Sequence, residues 1–228
     1  MSCLLHIETS AKICSLAVSI DKNLILNKVN KEGFSHSSCL GMYVKEAMDE
    51  LKKRNLKLDA VSVSMGPGSY TGLRIGVSEA KGLCYGLDIP LIALSSLRIL
   101  TESAFEAGVK ADYYYALTDA RRMEVYSAVY DSQGNLRKDV GAEIIDENSF
   151  SEFLSKGKVA FFGDGSDKCK DVISSENAIF VPDIYPQASS MISLAEQSFE
   201  QKKFVDTAYF EPFYLKEFQA TVAKNKVF

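Results

Sequence analysis

CLLHIETSAKICSLAVSIDKNLILNKV (residues 3–29) reads as three β-strands in close succession. The strands are CLLHIET, ICSLAVSI and NLILNKV, and Asp21, Lys22 and Asn23 supply a hairpin turn between the last two. A helix is predicted over residues 37–54, because Leu40, Tyr43, Val44, Ala47, Met48 and Leu51 recur at three- and four-residue steps. Ser35, Ser37 and Ser38 are its candidate N-caps. AVSVSM (residues 60–65) alternates as a strand should, and a glycine-rich stretch then opens a second helix that ends near Gly86. PLIAL is a further strand, and a helix over residues 96–107 closes the half.

The second half repeats this order. YYYALTD and MEVYSAVY are strands, a third lies within LRKDVGAEII, and Gly134 and Asn135 sit in the turn between the second and third. A helix over residues 146–154, the strand KVAFFG and more helix follow. The offset is about 110 residues, with Ile7 matching Leu117, Ile20 matching Tyr130 and Asp21 matching Asp131; topology repeats, residues do not. Three hairpin-connected strands, a helix and a parallel strand make a mixed sheet with helices on its faces. Two such βββαβα units leave a cleft between them, which is the two-lobed α/β plan of the actin, hexokinase and Hsp70-ATPase (ASKHA) superfamily. The lobes are expected at residues 1–107 and 108–228, and the final segment, after Phe204, is a candidate to pack back on the first lobe. In that plan the first hairpin of each half points at the cleft and carries an acid. Here those turns are HIETSAKI and LTDARRME, with Glu8 and Asp119.

With 46% apolar and 25% charged residues in 228, the chain can bury a substantial core. No run of about 18 apolar residues marks a membrane span. MSCLLHIETS has neither a positive leader nor a cleavable apolar core, so no signal peptide is expected. Five widely spaced cysteines (3, 14, 39, 84 and 169) without a CxxC pair suit free thiols in the cytoplasm. Net charge is −4, and the basic clusters Lys52-Lys53-Arg54 and Arg121-Arg122 are short, so strong binding to nucleic acid by the chain alone is not expected.

SMGPGSYTGLRIGVSEAKGL (residues 64–83) has the look of a phosphate loop, but its spacing is wrong for one. A P-loop needs GxxxxGK[ST]; here five residues separate Gly66 from Gly72, and leucine follows. The dinucleotide pattern GxGxxG fails at Thr71. A backbone anion site at Gly66–Gly68 stays open on general grounds. Gly68, Gly72, Gly76 and Ala80 stand four apart, a small-residue ridge that lets another backbone come close, either the domain's own sheet or a second subunit. His6 and His36 are the only histidines, so a zinc or iron site and a serine or cysteine hydrolase both lack support. Glu8 and Asp119 remain a carboxylate pair suited to metal-nucleotide work, which leaves an ATP-dependent phosphotransferase as an alternative reading.

IETS, HSSCL, MGPGSYTGLRIGVSEAKGL, ALTDARRMEVY and PFYLKE, in that order over nearly the whole chain, resemble the TsaB (YeaZ) family. The resemblance implies the ASKHA fold and a non-catalytic subunit that pairs with TsaD in threonylcarbamoyl transfer to adenosine 37 of ANN-decoding tRNAs. TsaE homologues join that assembly, ATP or ADP and metal reside on the partner subunits, tRNA is met only through the complex, and the chain alone is a homodimer. The implied partner face is the first two helices, with His36, Leu40, Tyr43, Val44, Ala47, Gly72, Gly76 and Ala80 as its candidates. Glu8, Thr9, Ser10, Gly66, Gly68 and Asp119 would line a vestigial nucleotide cleft; catalytic and metal residues are not expected. TsaD has ligand histidines where Ser96 and Leu100 stand here, and neither can replace imidazole at a metal. That departure weighs against the glycoprotease-like metallopeptidase reading.

Overall fold

A computed structural model describes residues 1–32 and 36–216. Ser35 and the last residue of PFYLKE lie outside them.

The first half contributes β1 (Cys3–Glu8), β2 (Cys14–Ile20), β3 (Asn23–Asn30), α1 (His36–Lys53), β4 (Ala60–Gly66), α2 (Tyr70–Leu87), β5 (Leu91–Ser95) and α3 (Ser96–Glu106). The second contributes β6 (Tyr113–Asp119), β7 (Glu124–Asp131), β8 (Leu136–Ile144), α4 (Ser151–Leu154), β9 (Val159–Phe162), β10 (Ala178–Phe180) and α5 (Ile192–Glu200). The sheets run β3-β2-β1-β4-β5 and β10-β9-β6-β7-β8, one topology twice. In each, two antiparallel hairpin pairs adjoin parallel strands. This is the two-lobed α/β architecture that the repeat of hairpins and helices implied.

Two details differ from the sequence reading. The helix expected over 146–154 shrinks to one turn, because Asp146 and Ser149 fold the chain on themselves first. Asn148 N–H donates to Asp146 Oδ1 at 2.9 Å, Asp146 N–H donates to Ser149 Oγ at 2.9 Å, and Phe150 takes a left-handed φ of 68°. After β9 the chain makes only a 3-10 turn at Asp167–Cys169 before β10, a three-residue strand too short to announce itself by alternation.

Alternation along the strands decides which layer each residue joins. Cys3, Leu5 and Ile7 of β1 pack beneath α1 and α2 with Leu40, Val44, Ala47, Val77 and Ala80. Leu4 faces the other way, with Ile99 of α3, Met191 and Ala195. In the second sheet Tyr115, Val129 and Phe161 pack with Phe150 and Phe153, while Tyr114, Ala128 and Phe162 pack with Leu97, Leu100 and Ala104 of α3. Helix α3 is therefore a shared layer, with Ile99 in the first lobe's core and Leu97, Leu100 and Ala104 in the second's. Arg98 fastens the same helix to the β7–β8 turn, lying 5.2 Å over the Tyr130 ring with its guanidinium on Gly134 O and Glu102.

Met191, which follows the second sheet in sequence yet is fully buried against the first, tests this shared core. Met191→Ala is expected to lower stability by about 2–5 kcal/mol. Urea unfolding followed by fluorescence and circular dichroism is expected to stay a single transition; two separated transitions would show lobes that fold apart.

Candidate functional site

The β1–β2 hairpin turn and the glycine stretch meet in space, largely through backbone. Ser69 N–H donates to Ser10 O at 2.7 Å, and Thr9 Oγ1 donates to Gly72 O at 2.8 Å. A Cβ on Gly68 would stand 2.3 Å from Ser10 O, on Gly72 2.1 Å from Thr9 O, and on Gly76 2.2 Å from Thr9 Oγ1. Each distance is below any real Cβ contact, so the ridge is the track on which the β1–β2 turn lies. Ser69 caps α2 by accepting from Gly72 N–H at 3.2 Å.

This corrects the interface expectation for most of its residues. Gly72, Gly76 and Ala80 are buried against the chain's own turn and sheet, and Leu40, Val44 and Ala47 are buried in the first core. An apolar stripe at helical spacing is satisfied first by the sheet beneath it, so none of the six faces outward. Tyr43 is half-buried against that core. His36, also half-buried, donates from Nε2 to Ala11 O at 2.9 Å and so pins the start of α1 to the same turn.

The outward faces hold different residues. On α1 they include Gly41 and Met42, the latter 53% exposed; on α2 they include Ser78, Gly82, Tyr85 and Gly86, with Tyr85 88% exposed. A Cβ at Gly41, Gly82 or Gly86 would meet nothing within 4 Å. Each helical glycine costs about 0.5–1 kcal/mol relative to alanine, and at these three nothing among the described residues asks for it. The sequence reading missed them, although Ser78, Gly82 and Gly86 keep the same four-residue step. The distinguishing signal is in the neighbours: Leu73, Val77 and Cys84 flank the inward ridge, whereas Thr71, Arg74 and Ser78 lie on the outward side.

Most of the residues expected to line a nucleotide cleft are already engaged within the fold. Of the donors in the glycine turn, Gly66 N–H goes to Ser96 Oγ at 3.1 Å, Ser69 N–H goes to Ser10, and Pro67 has none. Thr9 and Ser10 are buried. Glu8 is fully buried; its Oε1 accepts from Ser10 N–H at 2.6 Å, while Oε2 has no partner. Burial pushes its carboxyl up to about 7, against the opposing pull of hydrogen bonds from Ser10 and Ser64. Asp119 is exposed, yet its Oδ1 accepts from Arg121 N–H at 2.9 Å and takes the Lys168 ammonium as an ion-pair partner. Lys168 also donates to Arg122 O at 2.9 Å, so it is a structural clamp on that turn. The two acids thus differ in kind, one buried and uncompensated, the other neutralised by a fixed cation.

His6 lies one residue pair back along the same strand face as Glu8. Its Nδ1 stands 2.7 Å from Ser62 Oγ and its Nε2 2.8 Å from Ser19 Oγ, so a neutral ring donates to one and accepts from the other. Burial lowers its pKa to about 3. Among the described residues no three His, Cys, Asp or Glu side chains gather as metal ligands. Ser96 is spent on Gly66, and Leu100 is in the core.

Glu8 and His6 oppose each other in pH. Glu8 is raised in the folded state, so its favourable contribution is complete below pH 4.5 and is lost as pH rises toward 7. His6 is lowered, so its contribution is complete above pH 6.5 and is lost as pH falls toward 3. Between pH 4.5 and 6.5 the two slopes cancel. Glu8→Gln is expected to uncover the histidine slope, with stability relative to wild type gaining roughly 1.4 kcal/mol per pH unit across that window. Urea unfolding at half-unit pH steps reads it; parallel curves for variant and wild type would refute it.

Residues 31–224 match the family described as TsaD: tRNA N6-adenosine threonylcarbamoyltransferase. The chain is 29% identical over 223 residues to the tRNA threonylcarbamoyladenosine biosynthesis protein TsaB of Haemophilus influenzae, covering 93% of each. It is 28% identical to the protein of that name from Escherichia coli, covering 93% of this chain and 94% of the other. The solved structure of YeaZ from Pseudomonas aeruginosa superposes with a TM-score of 0.79 at 27% identity, covering 94% of this chain and all of that one. No helix among the described residues is long and apolar enough to cross a membrane. The chain belongs to the TsaD (tRNA N6-adenosine threonylcarbamoyltransferase) family, and within it resembles the TsaB/YeaZ proteins.

Proposed function

We propose that this chain takes part in tRNA threonylcarbamoyladenosine biosynthesis as a non-catalytic scaffold and activator that pairs with a TsaD homologue through α1 and α2. Involvement in that pathway is supported by the names its relatives carry. The observation that carries the scaffold role is the contrast between two sets of residues. Positions that would do chemistry in this fold are consumed by the fold, whereas the outward side of α2 presents bare backbone at Gly82 and Gly86 that the fold does not need. Bare helix backbone suits close approach by another helix. In this reading nucleotide and metal belong to the partner subunits, TsaE homologues join the assembly, tRNA is met through the complex, and the isolated chain pairs with itself. The phosphotransferase alternative loses its acid pair, because Lys168 neutralises Asp119 and Glu8 has no exposed atom.

Threonylcarbamoyl transfer to tRNA by purified TsaD, with and without this chain, tests the role. Transfer is expected to require the chain, and full activity of TsaD alone would sink the idea. The face is tested by contrasting glycines. Gly82→Leu is expected to leave the fold intact or gain up to about 1 kcal/mol of helix propensity, while weakening partner binding at least about tenfold. Gly76→Leu is expected to disrupt the first lobe itself. Calorimetric titration with TsaD reads affinity and thermal melting reads the fold; undiminished affinity in folded Gly82→Leu would move the face elsewhere.

A further inference from the structure

After α5 the chain returns across the first lobe and on to the second. Val205 bridges Leu91 at the edge of β5, donating its N–H to Leu91 O at 2.9 Å. The chain then runs back over α2 toward that helix's first turn. Lys81 Nζ donates to Ala208 O at 3.1 Å and to Phe210 O at 3.0 Å. Arg74 Nε donates to Tyr214 Oη at 3.3 Å, and the Tyr70 and Tyr214 rings lie 5.0 Å apart. Phe213 N–H donates to Met65 O at 2.7 Å, and Phe213 O lies 2.7 Å from where a Cβ on Gly66 would stand. Three residues on, the Lys216 ammonium pairs with Glu124, the first residue of β7 and the near neighbour of the Asp119 turn.

Three residues span at most about 11 Å. Residues 213–216 therefore join the glycine turn of the first lobe to the acidic turn of the second almost directly. We propose that residues 205–216 are a latch that holds the lobes together at the mouth of the cleft between these turns, with Lys81 as its catch. The latch packs against the first core at Val205 and Phe210 and is otherwise fastened at points. A groove of about 600 Å³, lined by Lys81, Gly82, Tyr85, Asp206, Thr207 and Ala208, separates it from α2, and Tyr209 at its middle is 84% exposed. A segment with few buried contacts and a handful of polar fastenings opens well below the free energy of global unfolding. An ammonium on two main-chain carbonyls is a strong fastening, because charge assists both hydrogen bonds. The lysine of the glycine stretch thus has a role that its sequence position near a phosphate-like loop concealed. Every contact of the latch lies within one chain, and Gly82 and Tyr85 of the proposed partner face also line the groove beside it.

Amide hydrogen exchange on the full chain, read by mass spectrometry, tests it with Lys81→Met, Glu124→Gln and the double variant. Lys81→Met is expected to speed exchange across residues 205–214 about tenfold, the loss of one charge-assisted fastening. The double variant is expected to speed exchange also in residues 65–70 and 119–124, while α3 keeps its protection. Unchanged exchange in 205–214 for Lys81→Met would overturn the catch. Loosening of 205–214 with both turns still protected in the double variant would overturn the tie between lobes. Should Lys81→Met fail to fold, Tyr214→Phe removes the Arg74 acceptor and is expected to loosen the same segment.

Discussion

The backbone of the β1–β2 turn, with the Thr9 hydroxyl, rests directly on the backbone of α2. Thr9 and Ser10 offer carbonyl and hydroxyl oxygens where Gly68, Gly72 and Gly76 leave room, and Thr9 and Ser69 convert the contact into hydrogen bonds. A methyl group at any of the three glycines would push helix and turn apart. Because this contact fixes the rotation of α2 about its axis, it also fixes which residues the helix turns outward. Ser78, Gly82 and Tyr85 face outward as a consequence of Gly72 and Gly76 facing in. His36, bonded to Ala11 of the same turn, extends the control to α1. The internal packing of one turn thus sets the face that both helices offer to the surroundings.

The lobes are equally hard to separate. Helix α3 is covalently part of the first half, yet Leu97, Leu100 and Ala104 complete the second core and Arg98 grips the β7–β8 turn. In the opposite direction Met191 and Ala195, late in the chain, complete the first core with Leu4 and Ile92. Neither sheet can cover both of its faces from its own half of the sequence, and an uncovered apolar sheet face would be unstable in water. The helical layers are exchanged, so the two topological repeats form one interlocked body.

Much of this was legible in the residues. Strands showed themselves by alternation and by short turns, and a repeated order needs no residue identity to be seen. The extent of α1 followed from its apolar spacing, and α2 from the glycine stretch that opens it. What periodicity did not give was direction. A helix with two small-residue ladders, Gly68-Gly72-Gly76-Ala80 and Ser78-Gly82-Gly86, has no label for inside, and assigning the first ladder to a partner ignored its apolar flanks, Leu73 and Val77. Leu40, Val44 and Ala47 were misjudged similarly, since a sheet one layer below claims aliphatic side chains before any partner does. The run over α2 was illegible for another reason. Residues 205–214 are held partly through backbone groups, on partners more than a hundred positions away, and such contacts leave no pattern in side-chain type.

The two hairpin turns hold their acids in different ways. Each keeps an acid at the same topological place. In the first lobe Glu8 is sealed from solvent, its carboxyl raised toward neutrality and one oxygen left without a partner. In the second, Asp119 stays exposed but is held by Lys168 and by its own turn's backbone. A carboxylate pair working on a metal-bound phosphate needs two open, ionised groups. Here Glu8 is closed off from solvent and Asp119 is held by a lysine, and each acid fastens the turn that carries it. Asp119 and Lys168 shape the DARR turn, Glu8 fixes Ser10, and Ser10 in turn seats the glycine track of α2. The acid of the first turn thus helps to seat the helix whose far side faces outward.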